Sequence, residues 1–237
     1  MCIPQYREGF MRLWRGANVL NYDRCGWGNA DAERLADALD WAHAQGIDTP
    51  AESLRLGANA LTDAALPRLV AALSAGAMPE VSNLSLVRNQ LTDAGLETLR
   101  PLLAGRLLQQ LTEFGYGGGV TAAGVSTLVA LLADGHLANL KNLNLSDNKL
   151  SDAGAKGLAA ALSDGKLPKL GVLQVNGNTI GDAGAEALAA AVRGGGGASL
   201  RKLIVGGNAF GDASTEALRA ACAARGVAAH RGPFDEL

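Results

Sequence analysis

The sequence predicts an α/β solenoid of about seven repeats, with parallel strands on a concave face and helices on a convex face. Three observations predict it. A short leucine-rich phrase ending in asparagine recurs along the chain, and a phrase with helical spacing follows each copy. Hydrophobic residues make up 48% of the 237 residues but aromatic residues only 4%, which favours a core of Leu, Val and Ala in regular layers. Stacked copies of one strand-and-helix unit build such a core.

The strand phrase has a fixed period. It reads LRLGANAL, LSLVRNQL, LNLSDNKL, LQVNGNTI and LIVGGNAF, starting at Leu54, Leu84, Leu143, Leu173 and Leu203. Its asparagines are Asn59, Asn89, Asn148, Asn178 and Asn208, so the successive intervals are 30, 59, 30 and 30 residues. One further copy must therefore lie inside the interval of 59.

Two degenerate copies complete the series. LTEFGYGGGV has Phe114 and Tyr116 in the leucine positions and Gly119 in the asparagine position, and it is one residue shorter than the others. LNYDRCGW, near the N-terminus, has Cys25 in the asparagine position and Trp27 in the following apolar position. The total is seven units.

A helix is predicted after each strand except at the end of the chain. The phrases LTDAAL, LTDAGL, VTAAGV, LSDAGA, IGDAGA and FGDAST lead into apolar residues at helical spacing. Aspartates in the first turn meet unpaired N–H groups and the positive dipole end, and they are Asp63, Asp93, Asp152, Asp182 and Asp212. The side chain of Thr62, Thr92 or Ser151, which precedes the aspartate, is expected to cap the N-terminus of its helix. Glycines able to adopt positive φ end the helices at Gly76, Gly105, Gly135, Gly165 and Gly194.

The stack must curve, because a helix is about 10 Å wide and paired strands lie about 4.8 Å apart. Its ends must be covered, so three segments are predicted: an N-terminal cap over 1–17, the solenoid over 18–226 and a C-terminal cap or tail over 227–237. Val227 to His230 are expected to add an eighth strand. The predicted covering side chains are Phe10, Leu13 and Trp14 at the front and Pro233 and Phe234 at the back. Alternatively, Trp14, Trp27 and Trp41 anchor another subunit.

The phrases LNLSDNKLSDAGAKGLAAAL and LQVNGNTIGDAGAEALAAAV resemble the ribonuclease-inhibitor class of leucine-rich repeats. Ribonuclease inhibitor, Ran GTPase-activating proteins and NOD-like receptors share this class. The resemblance covers roughly residues 18 to 222. It implies that the five asparagines form a structural ladder of hydrogen bonds in which Cys25 can substitute. Gly119 has no side chain, so the fourth unit is expected to be a weak point.

Composition argues against several function classes. The net charge of −2, from 21 basic and 23 acidic residues, gives no reason to expect nucleic acid or a membrane as partner. Three distant cysteines (Cys2, Cys25 and Cys222) form neither a disulfide framework nor a zinc spacing. The histidines (His43, His136 and His230) fall on different units, without a catalytic arrangement. We therefore expect a cytoplasmic protein that is not an enzyme and needs no metal, cofactor or small-molecule substrate.

Side chains alternate along a strand, so the residues flanking the inward leucines face the concave side. The predicted partner-binding residues are Arg24, Arg55, Arg88, Glu113, Gly117, Asn142, Asn144, Asp147, Gln174 and Asn176. The three arginines form a basic patch able to grip carboxylates, or are three solvated side chains. The glycines at 115 and 117–119 admit a partner's backbone closely, or make the unit mobile.

The leading hypothesis for function is a non-catalytic protein–protein interaction module or scaffold subunit that binds another protein through its concave face. The alternative is a GTPase activator of the Ran GTPase-activator type, because those proteins share the repeat. Both hypotheses depend on the resemblance rather than on a catalytic motif.

Overall fold

A computed structural model describes residues 14–47, 49–105 and 109–230 of the chain. Its eight strands form one parallel sheet in chain order, and each pairs with the next in sequence. Within the described residues the strands are β1 (Val19–Asn21), β2 (Ser53–Arg55), β3 (Asn83–Leu86), β4 (Glu113–Tyr116), β5 (Asn142–Asn144), β6 (Val172–Gln174), β7 (Lys202–Ile204) and β8 (Ala228–His230). The predicted open solenoid of parallel strands is confirmed.

Helices of 9 to 16 residues follow the first seven strands. They are α1 (Asn29–Ala44), α2 (Leu66–Ser74, preceded by the 3₁₀ turn Asp63–Ala65), α3 (Asp93–Ala104), α4 (Ala122–Ala133), α5 (Ser151–Ser163), α6 (Asp182–Arg193) and α7 (Asp212–Ala223). We call strand βn together with helix αn repeat n. Seven repeats and the predicted eighth strand result.

The core lies between the sheet and the helices. The first leucine of each strand phrase pairs in register with the next, as Leu54 does with Leu84 and Leu143 with Leu173. These leucines are completely buried. Phe114 takes the same position in β4 and is 1% exposed. Stacking therefore buries one continuous apolar layer, as the repeat predicts.

The asparagines form a ladder at the carboxyl ends of the strands, as the resemblance implies. Asn89 Nδ2 donates to Leu86 O in its own repeat (3.1 Å) and to Leu56 O in the preceding one (2.9 Å). Its Oδ1 accepts from Leu61 N–H (3.1 Å). Asn59, Asn148, Asn178 and Asn208 also bond their own repeat and the preceding one. We call this set the asparagine ladder.

The first-turn aspartates form a second ladder, but with different partners from those expected. The carboxylate of Asp63 accepts from the N–H (2.9 Å) and the hydroxyl (2.5 Å) of Thr92, at the start of the following helix. The carboxylate of Asp93 bonds Thr121 in the same way. Asp152 reaches Gly181 N–H and Gly184 N–H, and Asp182 reaches Gly211 N–H. This carboxylate ladder ties each helix start to the next.

The predicted helix-capping residues and helix-terminating glycines are confirmed only in part. Thr92 Oγ1 caps α3 by accepting from Ala94 N–H (3.3 Å). Thr62 has no such bond, and Ser151 is itself the first helical residue, so neither caps its helix. Gly76, Gly135 and Gly165 adopt the expected positive φ, whereas Gly105 and Gly194 have φ of −75° and −72°.

Repeat 4 departs from the others by the deletion of one residue. The N–H groups of Gly118 and Val120 donate to Asn148 Oδ1 (2.7 and 2.9 Å). Cys25 N–H donates to the asparagine of repeat 2 in the equivalent way. Gly118 therefore occupies the asparagine position that the sequence assigns to Gly119, and Gly119 is the residue after it.

Two glycines of repeat 4 are required by close packing within the stack. Gly117 has φ of +129° and Gly118 has φ of +142°. A Cβ atom on Gly117 would lie 2.0 Å from Asn148 Oδ1, and one on Gly118 would lie 1.7 Å from Asn89 O. Only glycine fits such positions. Contact with neighbouring repeats thus gives these glycines a structural reason that neither sequence hypothesis included.

The structure describes only part of the two ends of the solenoid. Trp14 is 5% exposed and packs in the core, and Trp27 stacks on Tyr22 with ring centroids 4.4 Å apart, whereas Trp41 is 40% exposed. The expected capping residues Phe10, Leu13, Pro233 and Phe234 lie outside the described residues. The boundaries of the two caps stay predictions.

Candidate functional site

A polar cleft of about 350 Å³ lies on the sheet face that points away from the helices. It crosses the sheet from the loop after β1 to the loop after β6. Eight of the ten predicted partner-binding residues line it, namely Arg24, Arg55, Arg88, Glu113, Asn142, Asn144, Gln174 and Asn176. The alternation of side chains brings six of them together, as expected, while Arg24 and Arg88 reach the cleft from left-handed turns after β1 and β3.

The arginines do not form an open basic patch. Arg55 Nη2 lies 2.9 Å from Asp23 Oδ2, and Arg88 Nε donates to Asp147 Oδ2 at 2.7 Å. Among the described residues, Arg24 has no carboxylate partner. Two of the three arginines are therefore paired with carboxylates, one of which lines the cleft, and this agrees with neither sequence hypothesis completely.

Amide side chains form the other wall of the cleft. Asn83 Nδ2 donates to Glu113 Oε2 (2.7 Å), and Gln174 Nε2 donates to Asn142 Oδ1 (3.2 Å). Each bond joins side chains on neighbouring strands. An amide has two donor hydrogens and an acceptor oxygen with two lone pairs, so both pairs keep further hydrogen-bonding capacity toward the cleft.

Asn144 and Asn176 lie toward one end of the cleft, in repeats 5 and 6. Asn144 Oδ1 accepts from Ser146 N–H (2.9 Å) and from Ser146 Oγ (2.6 Å), which orients the amide. Asn176 Oδ1 is buried and has no hydrogen-bond partner among the described residues.

Two predicted residues lie apart from the cleft lining. Gly117 is buried against Asn148 and does not line the cleft, so its contact with a partner stays a prediction. Asp147 does not line the cleft, but its carboxylate accepts a hydrogen bond from the guanidinium of Arg88, which does. Both residues belong to the region around repeat 4.

Sequence reasoning missed Asn83, Ala58 and Phe114 as lining residues. Asn83 could have been found, because it pairs in register with Glu113, which in turn pairs with Asn142. Ala58 borders the cleft because it sits in a left-handed turn (φ +54°) after β2. No sequence signal in one alanine indicates such a turn.

The chemistry of the cleft is that of hydrogen bonding. In the part of the chain that the structure describes, no group of three or more His, Cys, Asp or Glu side chains could hold a metal ion. Cys25 is exposed and Cys222 is buried, and burial raises the pKa of the Cys222 thiol to about 11. Over the same residues, no helix combines the length and the hydropathy needed to cross a membrane.

Comparisons with solved structures show the fold. A protein from Bacteroides fragilis shares 14% identity over 100% of this chain and 74% of its own, with a TM-score of 0.55. An internalin from Listeria monocytogenes has 18% identity and a TM-score of 0.42, and the match covers 76% of this chain and 47% of that one. A TDR receptor has 14% identity and a TM-score of 0.35, over 71% of this chain and 32% of the receptor chain.

Sequence comparison identifies the repeat. No curated protein matches the chain. The family model described as "Leucine Rich repeat" matches residues 136–159 and 166–189, which run from before β5 into α6. These matches fall on repeats 5 and 6, and both ladders join these two repeats. Repeats 5 and 6 of the open solenoid are therefore similar to leucine-rich repeats.

Proposed function

We propose that this chain is a non-catalytic interaction module that binds a partner protein through its concave face. One observation carries the proposal: the cleft presents amide, hydroxyl and charged side chains on strands that two hydrogen-bond ladders hold in place. Asn83, Asn144 and Gln174 are already oriented by hydrogen bonds, so binding through them costs little side-chain entropy and favours specific recognition of a polar partner.

The charges of the cleft support a protein partner rather than a polyanion. Asp23 neutralises Arg55 and Asp147 neutralises Arg88, which leaves amide and hydroxyl groups as the main contacts. Protein surfaces offer matching donors and acceptors in the same mixture. We propose further that the repeats are of the ribonuclease-inhibitor type and that the protein acts in the cytoplasm, without a nucleic acid, membrane or small-molecule ligand.

Affinity purification with a cleft variant and a matched convex variant tests the proposal. The cleft variant is Arg55→Glu plus Asn144→Arg. The control is Arg100→Glu plus Ser126→Arg, which makes the same changes of charge on exposed residues of α3 and α4. Thermal unfolding establishes that both variants fold.

The expected result is that wild type and the convex variant recover the same partner from the native source, while the cleft variant loses it. Equal recovery by all three proteins would count against the concave face. The Ran-type GTPase activator stays a prediction, and single-turnover GTP hydrolysis with a panel of small GTPases tests it.

A further inference from the structure

Repeat 4 lacks one side-chain ladder on each of its two sides. Toward repeat 3, Gly118 takes the asparagine position and has no side chain to bond the preceding repeat. Toward repeat 5, Ala122 takes the position of the first-turn aspartate, so no carboxylate reaches Ser151. Each of these two interfaces therefore keeps one ladder contact: Asp93 to Thr121 on one side and Asn148 to Tyr116 on the other.

The helix start of repeat 5 differs where the carboxylate is missing. Ser151 begins α5 with φ of +52°, after Leu150, which provides no side-chain cap. Thr121, at the equivalent place in repeat 4, has φ of −105° and caps its helix. Positive φ is uncommon for a non-glycine residue, and Ser151 is the first residue of its helix. The start of α5 is thus irregular at the interface that lacks the carboxylate.

One ion pair passes over repeat 4. Arg88 lies after β3 and Asp147 after β5, and the two are 59 residues apart in sequence. Among the described residues, it is the one ion pair that joins repeats that are not neighbours. Arg88 can reach across because the intervening loop is one residue shorter.

We infer that repeat 4 is a flexible junction dividing the solenoid into two cooperative blocks, and that the Arg88–Asp147 pair ties the blocks together. The N-terminal block comprises repeats 1–3, and the C-terminal block comprises repeats 5–7 with β8. In a solenoid each repeat contacts only its neighbours, so the weakest interfaces determine where the stack opens.

The junction bears directly on the cleft. Arg55 and Ser85 come from the N-terminal block, and Asn144 and Gln174 come from the C-terminal block. Movement at repeat 4 therefore changes the distance between the two walls. Because the side chains of Arg88 and Asp147 are 52% and 38% exposed, salt weakens the tie. The inference concerns the scaffold and stands whether or not the cleft binds a protein.

Native-state hydrogen exchange of the wild-type chain in low concentrations of urea provides the first test. We expect the core amides of the two blocks to exchange through separate openings, each with its own dependence on urea. Exchange of all core amides through one global opening, with a single urea dependence, would overturn the division into blocks.

Restoring the missing carboxylate provides the second test. Gly154 leaves beside Ala122 the space that Gly124 leaves beside Asp93, so Ala122→Asp fits the ladder. The control Ala123→Asp adds the same charge at the next, exposed residue. Exchange at Ser151 and the first turn of α5 is expected to slow about fivefold in Ala122→Asp alone. Equal slowing in both variants, or in neither, would contradict the role of the missing carboxylate.

The ion pair is tested with Arg88→Gln, and Arg24→Gln serves as the control because Arg24 occupies the equivalent left-handed position in repeat 1. Exchange in β4 is expected to rise about threefold in Arg88→Gln, as is usual for loss of an exposed pair. Addition of 0.5 M NaCl should raise the exchange rate in β4 of wild type by roughly the same threefold factor. It should change the exchange rate in β4 of Arg88→Gln little. An Arg88→Gln profile equal to that of Arg24→Gln would exclude the tie.

Discussion

Arg55, Arg88 and Tyr116 show how far individual residues can be interpreted from the sequence. The alternation of side chains along a strand correctly places Arg55 on the cleft, whereas Arg88 reaches the cleft from a left-handed turn after β3. The partner of Arg88 is not predictable from the sequence, because Arg88 reaches the Asp147 carboxylate only across a repeat that is one residue short. Tyr116 was predicted to fill a leucine position, and it does. Its hydroxyl, however, adds a hydrogen bond that no pattern of apolar residues indicates.

The hydroxyl of Tyr116 makes the stability of the protein depend on pH above 10. It donates to Thr92 O at 3.0 Å, and the side chain is completely buried. Burial raises the pKa of Tyr116 well above its ordinary value of 10.0, and the carboxylates of Asp63 and Asp93 add to the shift. The folded state therefore keeps the proton. The stability that this provides is complete below pH 10 and is lost as pH rises above it, where the unfolded chain releases the proton.

Tyr116→Phe is expected to lower the free energy of unfolding at pH 7 by about 1 kcal/mol, because one buried hydrogen bond is lost. Above pH 10 the variant should lose stability less steeply than wild type. Urea unfolding at a series of pH values measures both effects. Parallel decline of the two proteins above pH 10 would show that Tyr116 is not the titrating group.

Helices were located well from the sequence, but the contacts of their first turns were not. The sequence Asp-Ala-Gly, which recurs in several repeats, correctly indicates that a helix begins there and that its first turn contains an acidic residue. The carboxylate bonds the following helix rather than its own, and this requires the spacing between adjacent repeats, which the sequence does not contain. The glycine of this sequence is required by the same contact, because the carboxylate of the preceding repeat lies against it. A Cβ atom on Gly95 would lie 2.2 Å from Asp63 Oδ1 and 2.3 Å from the Tyr116 hydroxyl.

Alanine substitution of two equivalent helix glycines should therefore have different effects. Gly95→Ala must displace the Asp63 carboxylate and is expected to cost about 2–3 kcal/mol, typical of overpacking a core. At Gly154 the new Cβ atom meets Leu150 Cβ at 3.1 Å and no carboxylate. The gain in helix propensity of about 1 kcal/mol should offset that contact and leave Gly154→Ala near neutral. Chemical denaturation compares the two, and equal losses would mean that the carboxylate ladder does not determine the glycine.

At the scale of the whole molecule, the period of the sequence was sufficient to predict the architecture. Intervals of 30 residues between asparagines correspond to strands that pair in register from β2 to β7, apart from the one-residue deletion. The exact position of that deletion was not predictable, because Gly118 and Gly119 are indistinguishable until their hydrogen bonds are known. A repeat that contacts only its neighbours also implies that one can be removed without loss of the fold.

Deletion of residues 179–208 removes one period and joins Asn178 to Ala209, the residue that follows the next asparagine of the ladder. Asp152, which bonds Gly181 N–H, would then meet Gly211 N–H, which Asp182 bonds in the intact chain. The shortened protein should fold, with an m-value for urea unfolding lower by roughly an eighth, in proportion to its length. Deletion of residues 179–193 is the control: it removes half a period and should abolish cooperative unfolding. All cleft-lining residues lie between Asp23 and Asn176, so the 30-residue deletion should also keep any partner that the cleft binds. Failure of that variant to fold would mean that the solenoid is not a stack of independent neighbours.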